Sequence, residues 1–167
     1  MRRTAGYTLL ELLICVVIIT ILFSLSVPVL NGLRSSSAQK AAARRLFAAL
    51  HQARSCAVSD NLEYQVAFDL DTQTFWLERG NRAEKSTTWE RVRDFGSFSA
   101  SVDMKALADC RAETGQRRIQ FNPDGTANSL YICAVDPGAL VQYRAGIPVA
   151  RTGRPKIQRR TSSKCWQ

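Results

Sequence analysis

A chain of 167 residues has room for one ordinary domain with an appendage, and it is too short for two hydrophobic cores. Its formal net charge is +9, and the C-terminal end carries most of it, because seven basic residues and no acidic one follow Asp136. This asymmetry suggests an anionic partner such as nucleic acid, lipid headgroups or an acidic protein face, but charge alone favours a solvated tail that keeps the protein soluble. A single histidine and widely spaced cysteines argue against a cofactor, a zinc site and most catalytic groupings.

The chain opens with a short basic segment and a long apolar run. Arg2 and Arg3 precede the run, and residues 12–30 carry no charge. Taken from residue 7, a helical run would extend about 36 Å, which is enough to cross a bilayer, and the preceding positive charges would keep the N-terminus in the cytoplasm. We therefore predict one membrane span at residues 7–30. A cleaved secretory signal that ends near residues 24–26 is the competing interpretation.

Glu11 favours the membrane anchor over the cleaved signal. A charged side chain at the centre of a bilayer costs roughly 2.5 to 3.5 kcal/mol, and a signal sequence has no use for one. The nearest partner would be a free amine, made by cutting the chain after Gly6, on a neighbouring helix of the same kind. That pairing would be strengthened in lipid and would set the axial register of a helical stack.

The segment Gly6–Leu13, GYTLLELL, resembles the type III signal of type IV prepilins and type II secretion pseudopilins. The resemblance implies that a prepilin peptidase removes residues 1–6 by cutting between Gly6 and Tyr7, and then methylates the amine of Tyr7. Glu11 becomes the fifth residue of the mature chain and serves filament assembly. The implied partners are other pilins or pseudopilins, the peptidase and the bacterial inner membrane.

Residues 31–60 are predicted to be the amphipathic second half of one long helix. Pro28 precedes them, where pilins often carry a helix-bending proline, and we expect a kink because proline removes a backbone donor and clashes with the preceding turn. Beyond it, apolar side chains recur at steps of three and four residues, as on one side of a helix. These are Ala42, Leu46, Ala49, Leu50, Ala53 and Ala57. We expect a sheet to cover this stripe.

Residues 61–167 are predicted to form a β-rich domain with a basic C-terminal end, because the sequence changes to the alternation that is typical of strands. The predicted strands are residues 63–70, 74–79, 89–93, 118–121, 129–133, 141–151 and 155–159. The first two form a hairpin, and proline and glycine within residues 122–125 indicate a tight turn. The fold class is therefore α+β: a pilin-like, long N-terminal helix packed on a mostly antiparallel sheet.

Three motifs make the chain resemble the group of minor pseudopilins and minor pilins called GspH and FimT. They are the FNPDG turn at residues 121–125, the segment Cys133–Asp136 and the RTGR segment at residues 151–154. Some FimT-type minor pilins bind DNA for natural transformation through a glycine-arginine-x-arginine segment, which residues 153–156 match with lysine in the last place. The resemblance implies a site for double-stranded DNA made of Arg151, Gly153, Arg154, Lys156, Arg159 and Arg160.

A purely structural interpretation of that segment competes with DNA binding. Gly153 would allow a turn between the last two strands, and the arginines would face solvent or a neighbouring subunit.

Four cysteines lie beyond the apolar run that contains Cys15. Cys56, Cys110, Cys133 and Cys165 are disulfide candidates, because they would be exported to an oxidising compartment, and they allow three pairings. The position of Cys165 suggests that a disulfide, for example to Cys133, ties the tail back.

These features favour a minor pilin that is assembled through its N-terminal helix near the tip of a type IV pilus. Before assembly its globular domain would lie in the periplasm. In the pilus it would capture DNA for uptake. The alternative is a GspH-like minor pseudopilin of a type II secretion system. An anchored periplasmic enzyme is a remote third, since neither a catalytic grouping nor a phosphate loop can be inferred.

Overall fold

The structure is a computed structural model that describes residues 8–98, 102–106, 109–111, 114–136 and 141–161, without the side chains of residues 24–36, 141 and 161. The chain divides into two compact units, Met1–Arg34 and Ser35–Gln167. The predicted leader at residues 1–6, together with Tyr7 and Cys165, lies outside the described residues.

Helix α1, Leu9–Asp60, begins in the first unit, where its residues 9–23 are all exposed. The backbone at Pro28 is helical like its neighbours. In the part of the chain that is described, no helical segment combines the length and the apolar character that crossing a membrane requires. The membrane span at residues 7–30 and the kink at Pro28 stay predictions.

The second unit contains the rest of α1 and eight strands. The strands are β1 (Tyr64–Asp69), β2 (Thr74–Gly80), β3 (Trp89–Ser97), β4 (Asp103–Ala106), β5 (Gln116–Phe121), β6 (Tyr131–Val135), β7 (Val141–Gly146) and β8 (Lys156–Thr161). They form two four-stranded antiparallel sheets, with strand orders β3-β2-β1-β5 and β4-β6-β7-β8. A short 3-10 helix, Ala150–Thr152, lies between β7 and β8. The predicted α+β fold with antiparallel sheets is confirmed.

The core lies between the second half of α1 and both sheets. The six apolar helix residues from Ala42 to Ala57 that the sequence predicts to face a sheet are each 5% exposed or less. Phe68, Phe75 and Phe121 meet them from the first sheet, and Met104 and Ile132 from the second. Burying a large apolar side chain contributes about 1.5 to 3 kcal/mol, so these contacts contribute substantially to the stability of the unit.

Several strands differ from the sequence prediction. The hairpin of β1 and β2 is confirmed, whereas β3 extends four residues further than predicted and β4 was not predicted. The tight turn is also confirmed: the N–H of Gly125 donates to the carbonyl of Asn122 over 2.9 Å, with a φ of 81° at Gly125. Because β5 and β6 belong to different sheets, this turn lies on the connection between the two sheets.

Two polar side chains form hydrogen bonds with backbone groups in the first sheet or in the connection next to it. Glu63 is 4% exposed, and its carboxylate accepts from the N–H groups of Lys85 and Ser86 over 2.9 and 2.7 Å, which fixes the connection between β2 and β3. Asn128 lies beside the outer edge of β5. Its side chain accepts from the N–H of Gln120 over 2.7 Å and donates to the carbonyl of Arg118 over 2.9 Å.

Candidate functional site

The helix begins with a capping interaction between two residues of the predicted assembly signal. The N–H of Glu11 donates to the hydroxyl of Thr8 over 3.3 Å, as at the N-terminus of a capped helix. Glu11 therefore lies in the first turn, where the helix dipole favours a negative charge. Its side chain is exposed and has no partner among the described residues. Gly6 and Tyr7, the predicted cleavage and methylation residues, lie outside that range.

The glycine of the predicted DNA segment is required by close backbone packing. Gly153 follows the 3-10 helix with a φ of 50°, in the left-handed region that favours glycine. A Cβ at this position would lie 2.0 Å from the carbonyl oxygen of Gly125. The connection between β7 and β8 is therefore pressed against the Asn122–Gly125 turn, and no larger residue fits without movement.

Arg54 of α1 holds the same two turns together. Its Nε donates to the carbonyl of Gly125 and its Nη2 to the carbonyl of Thr152, each over 3.3 Å. Sequence reasoning did not find this role, since hydrogen bonds to distant backbone carbonyls leave no local pattern. The result is that Arg151 and Arg154, both exposed, stand on either side of a turn that is fixed to the helix.

The alternation of β8 divides the remaining candidate residues between two faces of the second sheet. Lys156 and Arg160 lie on one face, with Arg160 donating to the side chain of Gln142 over 3.1 Å, and Arg159 lies on the other. Lys156 and Arg159 are exposed, and Arg160 is half-buried. The six predicted residues therefore do not form one cluster. Arg151, Gly153 and Arg154 lie together at the turn, whereas the cations of β8 point in two directions.

Arg144 is a cation of the C-terminal region that sequence reasoning did not place in the site. It is 7% exposed and its guanidinium lies over the Tyr131 ring at 3.9 Å from the centroid, while Nε and Nη2 donate to Gln158 over 3.0 and 2.8 Å. Burial lowers the pKa of Arg144, and the like charge of Arg160 lowers it too. Arg144 is thus a packed residue of the outer face of the second sheet.

Among the described residues, one disulfide joins Cys110 to Cys133, which lie 23 residues apart in the sequence. The expected bond between Cys165 and Cys133 is therefore wrong, because Cys133, which lies in β6, is already bonded to Cys110. Cys56 is a half-buried free thiol in α1, and burial together with the charge of Asp60 raises its pKa. Among the described residues, no three or more His, Cys, Asp and Glu side chains are grouped so that they could hold a metal ion.

Comparison with known families gives two matches along the chain. The profile of the family described as type II transport protein GspH matches residues 42–153, which is more than half of the chain. The profile of the prokaryotic N-terminal methylation motif matches residues 1–27. A comparison with curated proteins gives no match.

Two solved structures share the fold. One is the type IV minor pilin FimU of Pseudomonas aeruginosa, with a TM-score of 0.54 and 19% identity over 75% of this chain and 90% of that one. The other is the minor pseudopilin EpsH from the Type 2 Secretion System of Vibrio cholerae, with a TM-score of 0.55 and 11% identity over 75% of this chain and 98% of that one. At these identities the likeness is one of fold.

Proposed function

The chain belongs to the family of the type II transport protein GspH, and on this premise we propose that it is a minor subunit of a type IV pilus or of a type II secretion pseudopilus, and not an enzyme. The N-terminal methylation motif at residues 1–27 supports a membrane-anchored filament subunit. A prepilin peptidase would cut after Gly6 and methylate Tyr7. The inner membrane would then hold the apolar helix, with the domain in the periplasm until assembly.

Filament assembly is proposed to depend on Glu11 and on the apolar surface that follows it. The Glu11 carboxylate is exposed and unpaired among the described residues, and residues 12–23 expose a nearly continuous apolar surface. In a stack of such helices the carboxylate would bind the Tyr7 amine of a neighbour, while the apolar side chains would pack between subunits. Burial in the stack makes the ion pair costly to break, since removing one partner leaves an uncompensated charge.

Glu11→Gln tests this proposal, because glutamine keeps the size and helix propensity and removes only the charge. We expect its incorporation into filaments, measured by immunoblotting of sheared filaments, to fall strongly. The control is Thr8→Ala, which removes the helix cap at a cost of about 1 kcal/mol but keeps the carboxylate, and should incorporate like the unchanged protein. Normal incorporation of Glu11→Gln would overturn the assembly role.

For the pilus we propose a further activity, the capture of double-stranded DNA near the filament tip for natural transformation. The supporting observation is the fixed turn at Gly153, which presents Arg151 and Arg154 to solvent while Arg54 holds it from the helix. Because the backbone of this turn is already fixed, binding a phosphate backbone needs to order only the arginine side chains. Such contacts are independent of base sequence and weaken steeply with salt, because binding releases counterions.

Retardation of a short mixed-sequence DNA duplex by the full-length chain in non-ionic detergent tests DNA capture. We expect Arg151→Ala with Arg154→Ala to lower the slope of log affinity against log salt by about 2. The matched control, Arg82→Ala with Arg118→Ala, removes the same charge from exposed positions elsewhere and should change the slope much less. If the unchanged protein gives no shift at low salt, DNA capture is wrong.

The second candidate is a minor pseudopilin that serves protein export. The GspH profile match over residues 42–153 supports it. Deletion of the gene separates the two candidates. A pseudopilin predicts that secretion of folded proteins stops while DNA uptake continues, and a DNA-capturing pilin predicts the opposite.

A further inference from the structure

The structure brings together two stretches of chain that carry cations and no acidic residue. No Asp or Glu occurs between Leu12 and Ser59 of the helix or after Asp136. Arg54 in the first stretch donates to the carbonyl of Thr152 in the second. Exposed helices ordinarily mix both signs, because opposite charges three or four residues apart attract. The contact therefore joins two basic stretches that are distant in sequence, beside the exposed Asp124 of the Asn122–Gly125 turn.

Four basic side chains follow one side of α1 toward this contact, and we call them the helix stripe: Lys40, Arg44, His51 and Arg54. Their spacings of four, seven and three residues place them on one side of a helix. Phe47 lies between them, and its ring meets the His51 ring edge-on with centroids 4.6 Å apart. Lys40, Arg44 and His51 are exposed, and Arg54 is half-buried.

The cations of the helix stripe keep N–H groups that can bind a ligand, whereas the guanidinium of their neighbour Arg45 is bonded within the domain. The Arg45 guanidinium donates to the carbonyls of Phe95 and Ser97 over 2.6 and 3.0 Å, which assigns it to the end of β3. Within the described residues, no carboxylate pairs with Lys40 or Arg44. Arg54 spends two N–H groups on its carbonyl partners, and a guanidinium has five.

We propose that the helix stripe and the Arg151–Arg154 turn form one continuous track for the phosphate backbone of DNA. This inference rests on the proposed DNA capture and extends its contact surface from the C-terminal region onto α1. From Lys40 to Arg54 the track is about 21 Å long at 1.5 Å per residue. Duplex DNA carries one negative charge per roughly 1.7 Å of axis when both strands are counted, so a duplex segment of this length carries about twelve phosphates, of which the track contacts only those on its own side.

The test measures duplex binding by the full-length chain in non-ionic detergent across a range of salt concentrations. One variant is Lys40→Ala with Arg44→Ala, in which alanine preserves the helix. The control is Arg82→Ala with Arg118→Ala, so that both variants lower the net charge from +9 to +7. We expect the stripe variant to bind on the order of tenfold more weakly and to lose about 2 from the salt slope, with a much smaller change in the control. Lys40→Arg with Arg44→Lys should bind like the unchanged protein.

Three results would overturn the track, and they are distinguishable from one another. If the stripe variant matches the control while the unchanged protein binds DNA, DNA capture stands and the helix takes no part in it. If the stripe variant binds DNA normally but fails to enter filaments, the stripe contacts an acidic face of a neighbouring subunit. If the unchanged protein does not bind DNA at low salt, the proposed capture fails and the track fails with it.

Discussion

Two parts of the same helix differ in whether their apolar side chains are exposed or buried. In residues 9–23 every side chain is exposed, whereas the six apolar residues of the second half from Ala42 to Ala57 are at most 5% exposed. Both parts are helical and rich in apolar residues, and what separates them is the pattern. A continuous apolar surface has no polar face, while a stripe at steps of three and four fits one sheet surface. The second part packs in the core of the domain, whereas the apolar side chains of the first part are exposed.

The largest expected effect tests that difference directly. Leu50→Ala should lower the free energy of unfolding of the domain by about 2 to 5 kcal/mol, because it leaves a cavity in the core. Leu13→Ala removes the same atoms from an exposed site and should change the free energy of unfolding by less than about 0.5 kcal/mol. Urea denaturation followed by tryptophan fluorescence measures both. Similar losses in the two variants would show that the first part also stabilises the domain.

Removing the disulfide should have the next largest effect. Replacing Cys110 and Cys133 with serine frees a loop of 23 residues and should cost about 3 kcal/mol. The loss should be the same in the Leu13→Ala background, because distant and independent sites add. A clear departure from additivity in the same urea titrations would show that the exposed part of the helix is energetically coupled to the domain. The contrast between the two parts of α1 would then be wrong.

Gly153→Ala tests the close packing that holds the basic turn. We expect a loss of about 1 to 3 kcal/mol, because a Cβ would collide with the Gly125 carbonyl and the φ is positive. Gly96→Ala is the matched control, since Gly96 also has a positive φ but open space around it, and only the backbone strain of about 1 kcal/mol should remain. Thermal unfolding separates the two, and equal losses would remove the packing argument.

The smallest expected effect is a pH dependence of the stability that arises from Tyr64, just beyond the end of α1. Tyr64 is buried and donates to Asp60, and burial together with that hydrogen bond raises the pKa of Tyr64 to about 12. A raised pKa means that the folded state keeps a proton that the unfolded state loses near pH 10. The stability gained is therefore complete below about pH 10 and is lost as the pH rises toward about 12.

Unfolding titrations of the unchanged protein and Tyr64→Phe across this alkaline range check the prediction. The stability of the unchanged protein should fall more steeply, and parallel curves would contradict the assignment. The Asp60 carboxyl shows the opposite sign. Its pKa is lowered, chiefly by the hydrogen bond from Tyr64, so its contribution is present above its ordinary pKa and is lost in acid.

The sequence predicts those parts of the fold that depend on local periodicity. The buried apolar residues of α1 from Ala42 to Ala57 repeat at the helical period, and the β1–β2 hairpin alternates, so both could be found without knowledge of distant contacts. The resemblance to the GspH family is also confirmed. In contrast, β4 is a four-residue strand whose pairing partner, β6, lies far along the chain, and the division into two sheets depends on such distant pairings.

The candidate site was predictable only in part for the same physical reason. The turn at Gly153 could be located because glycine marks it in the sequence. The choice of Cys110 as the partner of Cys133 could not, since three pairings fit the same spacings. Arg54 resembles any other helical arginine until the structure places two carbonyls beside it. What sequence reasoning missed are contacts between elements that are remote along the chain.

The amide of Asn128 has a consequence for a protein that polymerises. An exposed strand edge invites pairing with the same edge of another copy, and pairing of that kind can propagate without a natural end. Asn128 occupies the N–H of Gln120 and the carbonyl of Arg118, which are groups that β5 would otherwise offer to a second chain. With its backbone N–H also bonded to the Gln120 carbonyl, Asn128 would thus limit edge-to-edge aggregation of a subunit whose proposed role is to polymerise.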